Sequence, residues 1–352
     1  MSNIIRRSLT AYSPSPDDPA IVLRLDRTEP PVPYRVSISE KVFVAWSQYP
    51  NVKPLEITLA KRWDVRAENI LITAGADEAL DRACRASLMA GDELLTTSPT
   101  FEMIAKYGEL SGATIKEVPW LEKEFPIDDF VNQLSSNTRL IILVTPNNPT
   151  GKCIPLESIE QIAIQASDIP IVLDLAYIEF AALDPTRRLL RFPNIVVVRS
   201  FSKAWGLPGL RLGYAIGNSE IIQVMRAAGG PYSVSAQSIE ILNTDLTSFE
   251  SEMDDYVDTI REERRILEAW LGENEIRFLP SQANFILLFP EYPMTFDQAL
   301  YTRGMRTRSL NSLPKARRLT LPGDADTFTL LMQSLIYTAH AIARRSISNP
   351  IH

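Results

Sequence analysis

One lysine lies in a stretch of sequence whose residue types suit the binding of an anionic ligand. Lys203 belongs to the segment NIVVVRSFSKAWGLPGLRLG, residues 194–213. The β-branched run Ile195–Val198 predicts a strand buried on both faces, and hydroxyls, the lysine, glycines and Arg211 follow it. In open α/β sheets, ligands bind just past the carboxyl ends of the strands. The segment therefore predicts either a nucleophilic amine in a binding site or a surface loop with a solvated lysine.

Two groups of residues suit a phosphate. Ser200 and Ser202 can donate from their hydroxyls, and the arginine at the end of the same segment can form a bidentate pair. The turn Gly75-Ala76-Asp77 follows a predicted strand and opens a predicted helix, where free N–H groups attract phosphate. Taken alone, this turn is better explained as an ordinary strand-to-helix connection that Asp77 caps.

Two further predicted strands end in polar residues. Asn148 lies in the turn TPNNPTG, residues 145–151, so it could bind a ligand oxygen or simply belong to a stiff turn. Asp174 ends a buried apolar run, where a carboxylate costs free energy unless a cationic or proton-donating partner offsets it. A ring N–H could be that partner, with Tyr177 donating to a neighbouring oxygen. The alternative is a buried aspartate that caps the next loop.

These candidates lie in a sequence of alternating predicted strands and helices, which predicts an α/β fold. Helical stretches separate most of the apolar runs, which favours a mainly parallel seven-stranded sheet with helices on both faces. The predicted strands are Ile70–Thr73, Glu93–Thr96, Thr114–Val118, Leu140–Val144, Ile169–Leu173, Ile195–Val198 and Leu212–Ile216.

The chain divides into three predicted regions. Residues 1–40 are rich in proline and polar residues and predict an arm or lid that packs on the small domain. Residues 41–255 predict the large domain, and residues 256–352 predict a smaller α+β domain.

Composition and charge exclude several classes of protein. The net charge of −7 and the pI near 5.2 give no electrostatic reason to expect nucleic acid. Two cysteines and two histidines, His340 and His352, are too few for a disulfide framework or a histidine-rich zinc site, so we expect no metal. A Ser-His-Asp hydrolase would have to use His340, which lies in a predicted helical tail, and the sequence has no nucleophile-elbow motif. No apolar run could span a bilayer and no secretory signal is recognisable, so we expect a cytoplasmic protein without membrane contacts.

Together the strand ends offer an amine, a phosphate site, an asparagine, and a carboxylate with a tyrosine. Pyridoxal 5'-phosphate has the complementary groups: an aldehyde with which Lys203 can form a Schiff base, a pyridine nitrogen for Asp174, a phenolic oxygen and a phosphate. The combination therefore predicts an enzyme that uses pyridoxal phosphate.

With these motifs in view, the sequence resembles a known family. It is similar to the class I and II aminotransferases of fold type I, and most closely to their histidinol-phosphate aminotransferase branch. The resemblance implies their fold, a large domain around the mainly parallel sheet and a small α+β domain. The motifs that carry it extend over most of the chain and are GADE (75–78), PTF (99–101), TPNNPTG (145–151), DLAY (174–177), SFSKAWGLPGLRLGY (200–214), ANF (283–285) and RLTL (318–321).

The resemblance implies a role for each matching residue around the cofactor. Lys203 would form the Schiff base and move protons, and Asp174 would keep the pyridine nitrogen protonated. Tyr177 and Asn148 would hydrogen-bond the ring oxygen, and Phe101 would stack on the ring, where the family more often has tyrosine. The phosphate would be held by the turn of Gly75, Ala76 and Asp77 together with Ser200, Ser202 and Arg211.

The resemblance also implies contacts with the substrate and with a second subunit. Arg318 would bind the α-carboxylate of an amino acid, with Asn284 nearby, and Arg317 is the neighbour with which Arg318 could be confused. Tyr49 would reach the phosphate bound in the partner subunit, so a homodimer is implied.

The sequence departs from the family pattern mainly near its amino end. The family motif LNxNENP is here LDRTEPP, residues 25–31, and Asn-Arg-Tyr-Pro is here SQYP, residues 47–50, without the arginine. Pro208 replaces a small residue in the lysine segment. The first two differences lie at the expected substrate mouth and argue against histidinol phosphate as the substrate. Asp26 and Glu29 could instead meet a cationic substrate such as a basic amino acid, or the arm could be only an exposed lid.

The leading functional prediction is transfer of an amino group from an α-amino acid to a 2-oxo acid. The alternative is that the same site catalyses decarboxylation, elimination, oxidation or cyclisation, as in specialised relatives. The altered amino-terminal arm favours this alternative more than an arm with the usual family motif would. A third hypothesis is a non-catalytic ligand domain of a regulator, but the amino end leaves no room for a helix-turn-helix.

Overall fold

In the part of the chain that the structure describes, the strands form two separate sheets. The computed structural model describes residues 15–30, Val42 and residues 45–348. In that part of the chain, the strands in order are β1 (Leu23–Leu25), β2 (Ile70–Thr73), β3 (Glu93–Ser98), β4 (Thr114–Pro119), β5 (Thr138–Val144), β6 (Ile171–Asp174), β7 (Ile195–Ser200), β8 (Gly213–Gly217), β9 (Arg277–Leu279), β10 (Phe285–Phe289), β11 (Met305–Leu310) and β12 (Leu313–Thr320).

Helices connect most of the strands. Side chains cap several helix starts; for example, Asn218 Oδ1 accepts from the N–H of Glu220 at 2.9 Å, and Ser235 Oγ accepts from the N–H of Ser238 at 3.1 Å. No helix in the described ranges is both long enough and apolar enough to cross a membrane. The helices are α1 (Lys53–Trp63), α2 (Gly75–Ser87), α3 (Met103–Leu110), α4 (Ile127–Asn132), α5 (Leu156–Gln165), α6 (Thr186–Leu189), α7 (Ser219–Ala227), α8 (Ala236–Glu273), α9 (Pro293–Tyr301) and α10 (Ala325–Ser348).

The large sheet has the strand order β2-β8-β7-β6-β5-β3-β4. Strands β3 to β7 pair in parallel, whereas β8 is antiparallel to both β2 and β7. The prediction of a mainly parallel seven-stranded sheet is confirmed, although the sequence did not predict the reversed direction of β8. The carboxyl ends of β2, β5, β6 and β7 therefore meet the amino end of β8 at one edge of the sheet, called here the carboxyl edge.

The central strands of the large sheet are buried on both faces. Every residue of β6 and β7 is buried. Val172 and Val196 pack on one face with side chains of α2 and α7, and Leu173 and Val197 pack on the other face with side chains of α5. Successive side chains of a strand point to opposite faces, so an unbroken β-branched run requires a helix layer on each side.

The small sheet has the order β1-β11-β12-β10-β9. Its edge strand β1 comes from the amino-terminal arm and pairs in parallel with β11, so that Leu23 lies opposite Met305 and Leu25 opposite Thr307. The described part of the predicted arm thus adds a strand to the small sheet, and the rest of residues 1–40 lies outside the described residues. The expected division between residues 255 and 256 falls inside α8, which is one continuous helix.

Gly213, the first residue of β8, lies against the turn that opens α2. A Cβ atom at Gly213 would lie 2.6 Å from the carbonyl carbon of Gly75 and 2.8 Å from the amide nitrogen of Ala76. Both contacts are with backbone atoms, which cannot move without moving the start of the helix. Only glycine lets β8 approach the first turn of α2 this closely.

Gly213→Ala is expected to lower the free energy of unfolding by about 1–3 kcal/mol, as overpacked sites usually do. Gly272→Ala in α8 is the control, because no atom lies within 4 Å of the added Cβ. Alanine in place of a helical glycine should raise stability by about 0.5–1 kcal/mol. Urea unfolding of both variants gives the comparison, and wild-type stability of Gly213→Ala would contradict the close approach.

Candidate active site

A cavity of about 310 Å³ opens at the carboxyl edge of the large sheet. Its lining contains every residue that the sequence predicted for cofactor binding except Gly75 and Tyr49. These residues come from the ends of β2, β5, β6 and β7, from the segment before β8, and from Phe101 after β3. The fold therefore brings side chains from distant parts of the sequence into one site, called here the inner cavity.

The sequence analysis did not single out Met103 and Tyr107, which also line the inner cavity. Both lie on α3, four residues apart, and therefore share one face of that helix. Burial raises the pKa of Tyr107, and the negative charges of Asp77 and Asp81 raise it further. The i, i+4 spacing just after Phe101 is the sequence signal that could have identified them.

The amine of Lys203 contacts the amino-terminal arm. Its Nζ atom donates to Thr28 Oγ1 at 2.6 Å and lies 5.4 Å from the centroid of the Tyr177 ring. Thr28 is only 2% exposed. The sequence analysis missed Thr28, although this residue stands where the family motif has its second asparagine.

Asp174 ends β6 in a buried environment. Its Oδ1 atom accepts from the N–H of Ala176 at 3.0 Å. Burial raises the pKa of Asp174 to about 7, the negative charge of Asp77 adds to the rise, and the Ala176 N–H and the charge of Lys203 oppose it. A proton-donating ligand group in the cavity would favour the ionised carboxylate, because a hydrogen bond to the charged form lowers the pKa.

The other end of the inner cavity carries the predicted phosphate-binding residues. Arg211 lies between Ser202 Oγ and Asp77 Oδ2, with its guanidinium 3.4 Å from each, and Ser200 Oγ accepts from the N–H of Ser202 at 3.1 Å. Helix α2 begins at Gly75, where a Cβ atom would lie 2.9 Å from Arg211 Nη2. Gly75 therefore allows a guanidinium to lie against a helix start, and both attract an anion.

Arg318 and Arg317 lie on opposite faces of β12, as adjacent residues of a strand do. Arg318 Nη1 donates to Asn148 Oδ1 at 2.8 Å, and its Nη2 donates to the backbone oxygen of Asp26 at 2.9 Å. Arg317 instead pairs with Asp297 at 2.7 Å. Of these two arginines, Arg318 is therefore the one beside the site.

A second cavity of about 580 Å³ adjoins the first and is called here the outer cavity. Asn148 and Phe101 line both cavities, and Arg318 lines the outer one. Arg308 and Glu102, which lie 3.9 Å apart, also line it. The outer cavity thus offers charges of both signs next to the buried guanidinium.

The two acidic residues of the arm occupy different environments. Asp26 is buried, and its carboxylate lies 3.8 Å from Arg24 Nε, which is within ion-pair distance but is not a hydrogen bond. Glu29 is exposed. Neither carboxylate lines the inner or the outer cavity, and Glu29 is the one that solvent reaches.

Two other predicted residues lie apart from both cavities. Asn284 is completely buried, and its backbone carbonyl accepts from the N–H of Leu321 at 2.8 Å. Tyr49 is 76% exposed and stacks on Tyr232 with 4.2 Å between ring centroids. The described residues include no group of histidine, cysteine and acidic side chains that could hold a metal ion.

Known proteins resemble this chain in sequence and in fold. The family model for aminotransferase class I and II matches residues 41–334. A histidinol-phosphate aminotransferase of Thermococcus gammatolerans is 33% identical over 297 residues, which cover 82% of this chain and 84% of that protein. An aromatic amino acid aminotransferase of Corynebacterium efficiens is 28% identical, with 86% of this chain and 88% of that protein covered. The crystal structure of histidinol-phosphate aminotransferase from Sinorhizobium meliloti in complex with pyridoxal-5'-phosphate has a TM-score of 0.77 and 21% identity, with 92% of each chain covered.

Asp174→Asn is expected to stabilise the ligand-free protein at alkaline pH. The pKa of Asp174 is raised from 3.8 to about 7 on folding, so the folded state binds this proton more tightly than the unfolded chain. The resulting stabilisation of the folded state is complete below the pKa of Asp174 in the unfolded chain. It is lost as the pH rises through the pKa of Asp174 in the folded protein. The variant should therefore gain roughly 1–4 kcal/mol relative to wild type between about pH 4 and pH 8.

Urea unfolding of both proteins across that pH range measures the difference. Burial also raises the pKa of Glu263 to about 7, but this residue is present in both proteins and its contribution cancels. A stability difference that stays constant with pH would contradict the assignment to Asp174.

Proposed function

The chain belongs to the class I and II aminotransferases, which use pyridoxal phosphate, and on this premise we propose that Lys203 binds the cofactor. In this proposal the enzyme moves an amino group from an α-amino acid to a 2-oxo acid. One observation carries the proposal: Lys203, Asp174 and Arg211 reach the same cavity from three different strand ends. An amine, a buried carboxylate and a guanidinium in one cavity match the aldehyde, ring nitrogen and phosphate of the cofactor.

The donor and acceptor set of the inner cavity fits pyridoxal phosphate. The buried carboxyl of Asp174 has a raised pKa, and a pyridinium N–H is the kind of donor that would hold it ionised. Ser200, Ser202 and Arg211 would hold the phosphate beside the first turn of α2. Tyr177 and Asn148 also line the cavity and would hydrogen-bond the ring oxygen. Phe101 would pack on the ring.

The bound cofactor supplies an electron sink that acidifies the Cα–H bond of an amino acid. Asp174 would keep the ring nitrogen protonated, since an ionised carboxylate at this position favours the charged ring. Lys203 would remove the proton from Cα and return it to a different carbon, acting as general base and then as general acid. Arg318 would hold the α-carboxylate, which fixes the Cα–H bond toward the lysine.

The outer cavity is the proposed site of the substrate side chain. Arg318 and Asn148 stand where the two cavities meet, so a carboxylate bound there would leave the side chain in the outer cavity. Arg308 and Glu102 could then form an ion pair with a charged group on that side chain. The names of the relatives make histidinol phosphate and aromatic amino acids the first donors to test. Basic amino acids join them because Glu102 lines the outer cavity and Glu29, the residue after Thr28, is exposed on the arm.

We also propose that the enzyme acts as a homodimer in which Tyr49 reaches the phosphate bound in the partner subunit. The support is its position: Tyr49 lies away from the inner cavity of its own chain, 76% exposed and stacked on Tyr232. A stacked, exposed aromatic pair is typical of a surface that another protein covers.

Lys203→Ala should lose the visible absorbance of the bound cofactor and at least about a thousandfold of amino-transfer activity, because one residue supplies the covalent link and the proton transfer. The measurement is an absorbance spectrum after cofactor addition and gel filtration. Lys152→Ala is a suitable control, since Lys152 does not line the inner cavity and its amine donates to the backbone oxygens of Glu122 and Lys123. Wild-type absorbance in the Lys203 variant would contradict the proposal.

Glu29→Lys should raise KM for arginine and lysine about three- to tenfold if this exposed carboxylate meets a cationic substrate, because exposed ion pairs contribute little. KM for an aromatic donor should be unchanged and serves as the internal control. Equal changes for all donors would favour an arm that is only a lid. The same panel should yield the corresponding 2-oxo acid of each amino acid that is accepted. Carbon dioxide or ammonia without that product would favour decarboxylation or elimination.

A further inference from the structure

Two residues of the arm, Asp26 and Thr28, contact the two cations that are central to the proposed function, Arg318 and Lys203. The backbone oxygen of Asp26 accepts from Arg318 Nη2 at 2.9 Å, and Thr28 Oγ1 accepts from Lys203 Nζ at 2.6 Å. The N–H of Thr28 donates to Thr320 Oγ1 at 3.3 Å, so the arm is also tied to the strand that carries Arg318. The arm therefore fixes the position of the lysine relative to the carboxylate-binding arginine.

The hydroxyl of Thr28 can act only as an acceptor toward the lysine. Thr28 donates its own proton to the backbone oxygen of Arg27 at 2.6 Å, which leaves a lone pair for Lys203 Nζ. Because Thr28 is 2% exposed, water does not compete for this oxygen. An amine that gives one N–H to a fixed acceptor has its lone pair directed away from that acceptor. The contact thus sets the orientation of the free amine.

The backbone of Thr28 adopts a conformation that is costly for its residue type. Its φ of 56° lies in the left-handed region, which β-branched residues rarely adopt. The pairing of β1 with β11 and the contact between Arg318 and Asp26 hold the residues just before Thr28, and Thr320 Oγ1 accepts from the N–H of Thr28 itself. Such backbone strain persists where the surroundings enforce it, and it is concentrated at functional sites. Here the strained residue carries the hydroxyl that contacts the lysine.

We propose that Thr28 is a positioning residue that holds the Lys203 amine whenever its nitrogen is not linked to the cofactor. This inference rests on the proposed role of Lys203. Condensation of the amine with an aldehyde releases water and leaves the nitrogen with at most one N–H, which the phenolic oxygen of the cofactor would accept, so the Thr28 contact belongs to the free amine. The contact therefore has two opposing effects on the enzyme, one favourable and one unfavourable. An oriented amine speeds proton transfer, and a stabilised free amine weakens retention of the cofactor.

Thr28→Val and Thr28→Ser distinguish the effect of the hydroxyl from the effect of the side-chain shape. Valine keeps the β-branched form and removes the acceptor, whereas serine keeps the hydroxyl. Thr28→Val should lower kcat about tenfold with KM within about twofold, as expected for loss of one hydrogen bond to a catalytic amine. The same variant should bind pyridoxal phosphate about fivefold more tightly, because its free state has lost a stabilising contact. Thr28→Ser should match wild type in both measurements.

Cofactor titration of the cofactor-free proteins and steady-state kinetics provide the two readouts, and melting curves check that each variant is folded. Equal losses in the valine and serine variants, a raised KM at unchanged kcat, or weaker cofactor binding in Thr28→Val would each overturn the positioning role. Should Thr28→Val not fold, Thr28→Ala removes the same acceptor and carries the same expectation.

The lysine variant separates failure of this inference from failure of the proposed function. If Lys203→Ala retained the absorbance of the bound cofactor, the role of the lysine would fail whatever the Thr28 variants did. If Lys203→Ala lost that absorbance and Thr28→Val behaved as wild type, only the positioning role would be overturned.

Discussion

The site depends on the close approach of two backbone segments at the carboxyl edge of the large sheet. Gly213 at the start of β8 touches the turn of Gly75 and Ala76, and any side chain there would separate them. Since β8 runs opposite to its neighbours, its beginning lies beside their ends. That reversal puts Arg211 next to the first turn of α2 and so completes the proposed phosphate site.

Two buried charged groups in or near the lysine segment differ in whether an opposite charge balances them. Arg199 on β7 is balanced by Glu179 at 2.8 Å and by Asp184 at 2.7 Å, so its charge is neutralised and it anchors the strand just before Ser200. Asp174 receives one backbone N–H, and its raised pKa is the mark of an unbalanced carboxyl. We interpret the first arrangement as structural and the second as a binding group that destabilises the ligand-free protein.

Sequence patterns predicted the parts of this molecule that local chemistry determines. The alternation of strand-like runs with helical stretches gave all seven strands of the large sheet to within a few residues, and residue types after those strands gave most of the inner cavity. The direction of β8 and the three-residue strand β1 depend on pairing between distant segments, which no local pattern records. Arg317 and Arg318 are the same residue type, and only the pairing with Asp297 separates them. Thr28 reaches Lys203 across 175 residues, a contact that only the folded chain defines.

The central claim is that the cofactor is attached to Lys203, and chemical trapping tests it most directly. The cofactor-loaded enzyme is reduced with borohydride, digested and analysed by mass spectrometry to find the lysine that carries the reduced pyridoxyl group. The account predicts that this group lies on the peptide that contains Lys203 and disappears when an amino acid donor is added before reduction. A pyridoxyl group on another lysine, or on none, would contradict it.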